Sequence, residues 1–436
     1  MDIRTARPQS RPELVSFGGC RSFLTLLGLV GLTISGCSAP KDKTVDPPQP
    51  EITPSVQVGS GAADGFSLIA AQFDQLPGWS GSDPSAALSA FQESCRRIER
   101  TSEQAPMSTR AAYNAGTVDD WRAACTAARV SDSSTPQQRR ALFETHFRPF
   151  KVLAPSDTSS KLTGYFEPML KVSAVKTLEF DTPIASKPDD IITVDVSEFH
   201  GASGEGRIVG KLEGSRLKPY DTRSEISGQP QSAIAWGNAA DVFYLQIQGS
   251  GRLQFPDGRE FRAAYAAHNG QPFVSIAKHL INEGEIEPHQ AGIDGVKSWM
   301  AKAGHDAAQA AMNVNPRYVW FAAEEIADPE KGPRGAEGVA LTPMGSMAVD
   351  PSYHAYGVPI FLDTLVPQKP GDWKGEPFQS LVIAQDTGGA IRGAARGDLF
   401  FGWGDVAGGR AGSMNHPVDM WVLLPTQLVS QADWAG

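Results

Sequence analysis

The sequence predicts a mainly β fold with helices. From Leu162 onward, short runs of β-forming residues recur, and glycine, proline or aspartate separates one run from the next. The 44 glycines and 32 prolines among 436 residues favour turn-rich β structure over a helical bundle. Segments follow in the order helices, strands, helices, strands. That order predicts a β domain inserted into, or following, a second domain whose own strands close the sequence.

Residues 1–36 have the features of a secretory signal peptide. Arg21 precedes an apolar run over 23–32, which is too short to span a membrane comfortably. Small residues directly before Cys37 resemble a bacterial lipobox, which implies cleavage before Cys37 and its lipidation. An uncleaved anchor or a chance cysteine is the alternative. Ser38 follows the cysteine, and serine there implies sorting to the outer membrane, so we expect a lipid-anchored protein on its periplasmic face.

Residues 37–65 are predicted to form a flexible tether. They are rich in proline, glycine and serine and show no apolar period. A coil of this length spans about 30 Å, so we expect the folded part to work at some distance from the membrane.

Three helices are predicted in the first folded stretch. Apolar residues recur at helical spacing over 88–98, behind Pro84 as the first helical residue. The second helix begins near Thr117, and the third covers 135–147.

One cysteine pair is a candidate disulfide. Cys20 lies in the predicted signal peptide and Cys37 is the predicted lipidation site, which leaves Cys95 and Cys125. Each lies on the apolar face of a predicted helix, and an oxidising compartment favours pairing. Two buried thiols are the alternative.

Strands dominate the rest of the chain, with one return to helices. The turn Pro256-Asp257-Gly258 predicts a hairpin between 253–255 and 259–261. Other strands are predicted at 162–170, 191–196, 207–212, 242–247, 358–364, 380–385, 399–403 and 420–424. Helices are predicted at 272–281, 295–303 and 305–312.

Several classes of function are excluded by missing motifs and by charge. The sequence has no phosphate-binding loop, no metalloprotease motif and no cysteine spacing suited to zinc, so we expect neither a cofactor nor a metal. We expect His268 and His416 to be structural. The formal net charge of −10 repels nucleic-acid phosphates, so we expect no nucleic-acid partner.

Three aspartates near the end of the sequence border predicted strands and lie among glycines: Asp350, Asp386 and Asp398. An aspartate in such a position is alternatively a turn cap. With the motifs that accompany them, the aspartates resemble the membrane-bound lytic murein transglycosylase A (MltA) family and its C-terminal three-aspartate (3D) domain. The accompanying motifs are LTGYFEP at 162–168, YLQIQGSG at 244–251, NPRYVWF at 315–321 and GVALTP at 338–343.

This resemblance, which covers roughly residues 140–425, implies a fold. It is a double-psi β-barrel domain with a second small β-barrel domain inserted, and the glycan lies in the groove between them. The implied divisions are 66–165 for the helical part and first barrel strand, 166–265 for the insert, and 266–430 for the rest of the first barrel.

The resemblance also implies an activity and its residues. The enzyme cleaves the β-1,4 bond between N-acetylmuramic acid and N-acetylglucosamine without water and leaves 1,6-anhydro-muramyl ends. Asp398 is then the acid and base, which requires a raised pKa. Asp386 is a supporting carboxylate, whereas we expect Asp350 to be structural. Substrate-binding residues are implied at Thr163, Tyr165, Gln246, Gln248, Gly388 and Gly389.

The character of the groove follows from these residues and from the charge. Gln246 and Gln248 are two apart on a predicted strand and are therefore expected on one face. The acidic chain does not favour the anionic peptides of peptidoglycan. We therefore expect a groove that binds its partner, the peptidoglycan glycan strand, through uncharged hydrogen bonds and aromatic faces. Two alternatives remain: a two-carboxylate glycoside hydrolase and a non-catalytic wall-binding lipoprotein.

Overall fold

The computed structural model describes residues 55–56, 66–130, 135–154, 160–196, 199, 207–229 and 231–431. The predicted signal peptide, Cys37 and all of the predicted tether except 55–56 lie outside the described residues. Among the described residues, no helix combines the length and apolarity that a membrane crossing needs.

The helices and strands are numbered in chain order. The α-helices are α1 (Ser85–Ile98), α2 (Val118–Val130), α3 (Pro136–His146), α4 (Arg223–Ser227), α5 (Ala239–Gln248), α6 (Ile276–Asn282), α7 (Ile293–Ala303), α8 (His305–Asn313), α9 (Gly404–Gly412) and α10 (Thr426–Gln431). The first strands are β1 (Ser55–Val56), β2 (Ser67–Ala70), β3 (Phe147–Leu153), β4 (Lys161–Glu167), β5 (Met169–Lys171), β6 (Thr182–Ala185), β7 (Ile192–Asp195), β8 (Arg207–Glu213), β9 (Arg216–Pro219) and β10 (Ala233–Gly237). The later strands are β11 (Gly251–Gln254), β12 (Glu260–His268), β13 (Val319–Glu324), β14 (Ser346–Val349), β15 (Pro359–Val366), β16 (Glu376–Asp386), β17 (Arg396–Trp403), β18 (Asn415–His416) and β19 (Val418–Pro425).

A ten-stranded sheet joins both ends of the described chain. Its strand order is β1-β2-β3-β19-β15-β16-β14-β17-β4-β18. Most neighbours are antiparallel, but β14 pairs with β16, and β4 with β17, in parallel. The fold is therefore mainly β with helices, as the sequence predicts, and it is consistent with the implied double-psi barrel. Strand β17 lies between β14, with which it pairs antiparallel, and β4, with which it pairs in parallel, at the centre of the site described below.

Three smaller sheets lie between β4 and β14 in the sequence. They are a four-stranded sheet in the order β13-β12-β11-β5, the pair β10-β6 and the three-stranded sheet β7-β8-β9. The predicted hairpin forms between β11 and β12. The predicted division at residue 265 falls inside β12, and the sheet continues to β13, so strand pairing crosses that boundary. The exact limits of the insert stay a prediction.

The first three helices pack on the ten-stranded sheet and form the largest core. The ring of Phe91 on α1 lies 5.7 Å from that of Phe147 and 6.4 Å from that of Trp121, measured between centroids. Cys95 on α1 and Cys125 on α2 form a disulfide with a Cα–Cα distance of 5.3 Å. Both cysteines are buried, so the bridge lies inside this core.

The prediction of a strand at 242–247 is wrong, because these residues form α5. The Asn238 side chain accepts a hydrogen bond from Ala240 N and caps the helix, which ends at Gly249 with φ of 85°. Val242 packs into the core of the four-stranded sheet, while Phe243 packs into a second core formed by α6, α7 and α8. A helix buried on two sides is apolar nearly all round, so it lacks the amphipathic period by which a helix is identified.

Candidate active site

A cleft of about 820 Å³ is lined by both the ten-stranded sheet and the insert. Asp386, Asp398 and Tyr165 line it from the sheet, and Gln246 and Gln248 line it from α5. The cleft thus brings together residues that lie more than 200 positions apart in the sequence.

Asp398 lies on β17, directly opposite Thr163 of β4 and Ala348 of β14. Thr163 Oγ1 donates a hydrogen bond of 2.5 Å to Oδ1 of Asp398. Arg396 Nη2 in turn donates to Thr163 Oγ1 at 2.8 Å. Because a guanidinium can only donate, the Thr163 proton must point away from Arg396 and toward Asp398.

The pKa of Asp398 is raised from its ordinary value of 3.8 to about 6. Burial is the largest cause, since a desolvated carboxylate is disfavoured relative to its neutral form, and the negative charge of Asp386 acts in the same direction. The Thr163 hydrogen bond and the Arg396 charge oppose the rise. A carboxyl group with a pKa near 6 can exchange a proton in both directions near neutral pH.

Asp386 ends β16 and accepts three hydrogen bonds. Oδ1 accepts from the backbone N–H groups of Ala336 and Thr387, each at 2.9 Å. Oδ2 accepts from the Tyr165 hydroxyl at 2.9 Å. Burial raises the pKa of Asp386, although these hydrogen bonds oppose the rise. Burial and the neighbouring Asp386 charge hold the pKa of Tyr165 well above its usual range, so the tyrosine remains a donor.

Asp350 accepts hydrogen bonds from two backbone N–H groups. Oδ1 accepts from Ser352 N at 3.1 Å and Oδ2 from Gly393 N at 2.9 Å. Asp350 is buried and does not line the cleft. It therefore fixes the loop between β16 and β17, on which Gly388 and Gly389 face the cleft.

The two glutamines differ from each other in environment. Gln246 is buried and its Oε1 accepts from Arg223 Nη1 at 2.5 Å, whereas Gln248 Oε1 accepts from Phe166 N at 3.5 Å. The expectation that both share one face of a strand is wrong, since on α5 they are about 200° apart around the helix axis. Gln248 instead links α5 to β4, next to Tyr165.

Comparisons with known proteins show the family to which the chain belongs. Two family models match: the MltA specific insert domain over residues 161–322 and the 3D domain over 345–424. Lytic transglycosylase LtgG of Burkholderia pseudomallei is 33% identical, with 86% of this chain and 98% of that chain covered and a TM-score of 0.53. The chain belongs to the MltA family.

Two further proteins place the chain among its relatives. A membrane-bound lytic murein transglycosylase of Agrobacterium tumefaciens is 28% identical with a TM-score of 0.71, and the match covers 84% of this chain and 99% of that one. Membrane-bound lytic murein transglycosylase A of Vibrio cholerae is 29% identical over 277 residues, which are 63% of this chain and 67% of that protein. The curated relative is thus matched over about two thirds of its length.

This MltA-family chain has a charged cleft, contrary to the expectation of an uncharged one. Five arginines line it: Arg110, Arg207, Arg317, Arg334 and Arg392. Tyr265 and Phe273, 51% and 40% exposed, also line it and offer aromatic faces. Net charge averages over the whole surface, and the arginines come from distant segments, so no local pattern indicated that they would meet.

A buried network behind Asp386 was also missed by sequence reasoning. The Gln385 side chain donates to Ala90 O and Ser94 Oγ on α1, both at 2.8 Å. Glu337 accepts from Ser94 Oγ at 2.7 Å and from Arg97 Nε at 2.9 Å. These bonds fix the end of β16 and the 335–337 loop. They thereby position two of the groups that donate to Asp386, the backbone N–H groups of Ala336 and Thr387. The only local sign of this network in the sequence is Gln385, a glutamine within the apolar run of β16.

Both histidines named in the sequence analysis lie near backbone hydrogen-bonding groups, and His268 also lines the cleft. His268 Nδ1 accepts from Gly270 N at 2.8 Å, and burial with the nearby Arg317 charge lowers the pKa of His268 to about 4. His416 Nε2 lies 3.1 Å from Trp373 O. Among the described residues, no three histidine, cysteine, aspartate or glutamate side chains are grouped to hold a metal ion.

Proposed function

We propose that this chain is a peptidoglycan lytic transglycosylase that uses Asp398 as both acid and base. It cleaves the β-1,4 bond between N-acetylmuramic acid and N-acetylglucosamine and leaves a 1,6-anhydro-muramyl end. The observation that carries the proposal is the position of Asp398: a desolvated carboxyl group on the wall of a large cleft, with its pKa raised to about 6.

The reaction needs one group that first gives and then takes a proton. Protonated Asp398 transfers its proton to the glycosidic oxygen as the bond from that oxygen to C1 breaks. The C6 hydroxyl of the same muramic acid attacks C1, and its proton passes to the Asp398 carboxylate. No water is consumed, and Asp398 ends the cycle protonated. Because the attacking hydroxyl belongs to the substrate, little translational entropy is lost.

Thr163 assigns different tasks to the two oxygens of Asp398. The Thr163 hydroxyl donates a hydrogen bond of 2.5 Å to Oδ1, which leaves Oδ2 to carry the proton that is transferred to the glycosidic oxygen. Asp386 contributes a fixed negative charge nearby, which favours the protonated form of Asp398. Tyr165 and the backbone of Ala336 hold Asp386 in place.

A two-carboxylate hydrolase is the alternative that uses the same aspartates. It needs Asp386 to activate water or attack carbon. Both oxygens of Asp386 already accept hydrogen bonds, three in all, which favours a positioning role over a base. The bond arrangement therefore supports a single acid.

Digestion of isolated sacculi decides between these possibilities. We expect products with anhydro ends, which are lighter by one water than the reducing-end products of a hydrolase, as measured by mass spectrometry. We expect purified Asp398→Asn to bind glycan but to release products at least about 100-fold more slowly. Near-normal release by this variant would exclude Asp398 from the chemistry and favour a non-catalytic wall-binding protein.

The proposal includes the place of action. The lipobox-like residues before Cys37 support a lipid anchor, and Ser38 supports the periplasmic face of the outer membrane. Incorporation of labelled palmitate into wild type but not into Cys37→Ala, followed by membrane fractionation, tests both parts.

A further inference from the structure

The charge of the cleft is opposite in sign to that of the chain. Five arginines line it, whereas its acidic lining residues are Asp386 and Asp398. The chain as a whole carries a formal net charge of −10. The cleft is thus a local region of positive charge on an acidic protein.

Most of these arginines lack a carboxylate partner. Arg207 Nε lies 3.7 Å from Asp195 Oδ2, and its side chain is still largely exposed. For the other four, no carboxylate of the described residues lies within ion-pair distance. Arg317, Arg334 and Arg392 donate to backbone carbonyl oxygens instead. Their charge is therefore available to a bound anion.

The arginines approach the cleft from both walls. Arg207 and Arg317 belong to the insert, where they lie close enough to Tyr265 to affect its pKa. Arg334 precedes the loop that donates to Asp386, and Arg392 lies in the loop between β16 and β17. Aromatic faces and guanidinium groups on the same walls suit a ligand that combines sugar rings with carboxylates.

We propose that these arginines bind carboxylates carried by the glycan strand, so that the cleft prefers acidic strands to an uncharged polymer of similar sugars. This inference rests on the proposed function, since it concerns the substrate of the same cleft. The carboxylates come from one of two sources. Strands with stem peptides carry peptide carboxylates, whereas strands stripped of peptide expose the lactyl carboxylate of each muramic acid.

Binding is measured with Asp398→Asn as the background, so that no substrate is consumed. The ligands are peptide-bearing strands, strands stripped by an amidase, and chitohexaose, which has no carboxylate. We expect the triple change Arg110→Gln, Arg334→Gln and Arg392→Gln to weaken binding of carboxylate-bearing strands about tenfold, because each exposed charge pair contributes modestly. The affinity for chitohexaose stays unchanged.

Three controls make the test specific. Arg100→Gln removes an exposed arginine that does not line the cleft, and it leaves every affinity unchanged. Lysine at the same three positions keeps the charge and restores part of the affinity. Added salt weakens binding of acidic strands but not of chitohexaose. If the triple change weakens binding of peptide-bearing strands alone, the arginines bind the peptide carboxylates. If it weakens binding of stripped strands as well, they bind the lactyl group.

Equal weakening of chitohexaose, or no weakening of acidic strands by the triple change, overturns the inference. Failure of this inference and failure of the proposed reaction give different results. If wild type releases anhydro products but binding does not depend on the arginines, only the inference fails. If the arginines discriminate but no anhydro product forms, the transglycosylase proposal fails and a cleft for acidic glycans remains.

Discussion

The Thr163 hydroxyl donates a hydrogen bond of 2.5 Å to Oδ1 of Asp398, across the parallel pair β4–β17. Arg396 fixes the direction of this hydroxyl by donating to its oxygen. The bond favours the carboxylate form of Asp398 and so holds its pKa below the value that burial alone would give. Burial thus raises the pKa of Asp398, and a side chain of the neighbouring strand limits the rise.

Thr163→Val removes this donor with little change of volume, and we expect the pKa of Asp398 to rise. The reaction begins from protonated Asp398, so the rate falls as pH rises through that pKa. The descending limb of the pH profile should consequently move to higher pH. Thr163→Ser, which keeps the hydroxyl, should leave the limb in place. A limb that does not move in Thr163→Val would mean that Thr163 does not tune Asp398.

Asp398→Asn should stabilise the fold at neutral pH. The folded-state pKa is raised from 3.8 to about 6, so the folded state holds the proton more tightly than the unfolded chain. Ionisation of Asp398 therefore lowers the free energy of unfolding as pH rises from 3.8 to about 6. Above that range the loss is on the order of 3 kcal/mol. Asparagine does not ionise, so this cost disappears.

Thermal unfolding at a series of pH values measures the effect. The difference between Asp398→Asn and wild type should be largest at pH 7 and should narrow as pH falls from about 6 toward 4. Asp189→Asn, at an exposed position, serves as the control. A gain independent of pH would attribute the effect to packing instead.

Local signals were sufficient for the elements that depend on local chemistry. Pro84 and the apolar spacing located α1, and the Pro256-Asp257-Gly258 turn located the hairpin between β11 and β12. The predicted strand at 162–170 is interrupted at Pro168, and its halves join different sheets as β4 and β5. No periodicity of side chains could indicate that the sheet changes there.

Long-range pairing decides the site, and it was implied only by the family resemblance. Asp386 and Asp398 meet because β16 and β17 lie on opposite sides of β14. The alternation of side chains within each strand gives no information about this order of strands in the sheet. The error at α5 and the unexpected arginines have the same origin, because both depend on what the segment packs against in three dimensions.

The disulfide should stabilise the helical region without taking part in the reaction. The two cysteines are 30 positions apart in the sequence, and for a loop of this size the loss of unfolded-state entropy predicts a stabilisation of about 3–4 kcal/mol. Replacing both cysteines by alanine should lower the free energy of unfolding by roughly that amount. Activity well below the melting temperature should be retained, since neither cysteine lines the cleft.

Thiol labelling provides the direct check on the disulfide. Under denaturing, non-reducing conditions, Cys95 and Cys125 should be blocked, and a reductant should make both reactive. Double-alanine protein with unchanged denaturant stability would show that the bridge adds nothing to the packed helices.

Glu167→Gln should be the most destabilising of these changes. Glu167 ends β4 and is fully buried between Arg252 Nε at 2.9 Å and Arg262 Nε at 2.5 Å. Since Arg252 lies on β11 and Arg262 on β12, the carboxylate joins the strand next to Asp398 to the sheet of the insert. Glutamine leaves two buried guanidinium groups without a counter-charge, which costs about 3–5 kcal/mol.

Urea denaturation of Glu167→Gln compared with Glu213→Gln tests the role of this junction. Glu213 forms an exposed pair with Lys218 at 3.6 Å, and its loss should be barely measurable because solvent screens the pair. In Glu167→Gln we also expect KM to rise at a temperature where the variant remains folded, since the two walls of the cleft are no longer held together by this ion pair. Equal stabilities for the two variants would show that the buried arginines find adequate partners in the backbone carbonyl groups of Pro329 and Lys331.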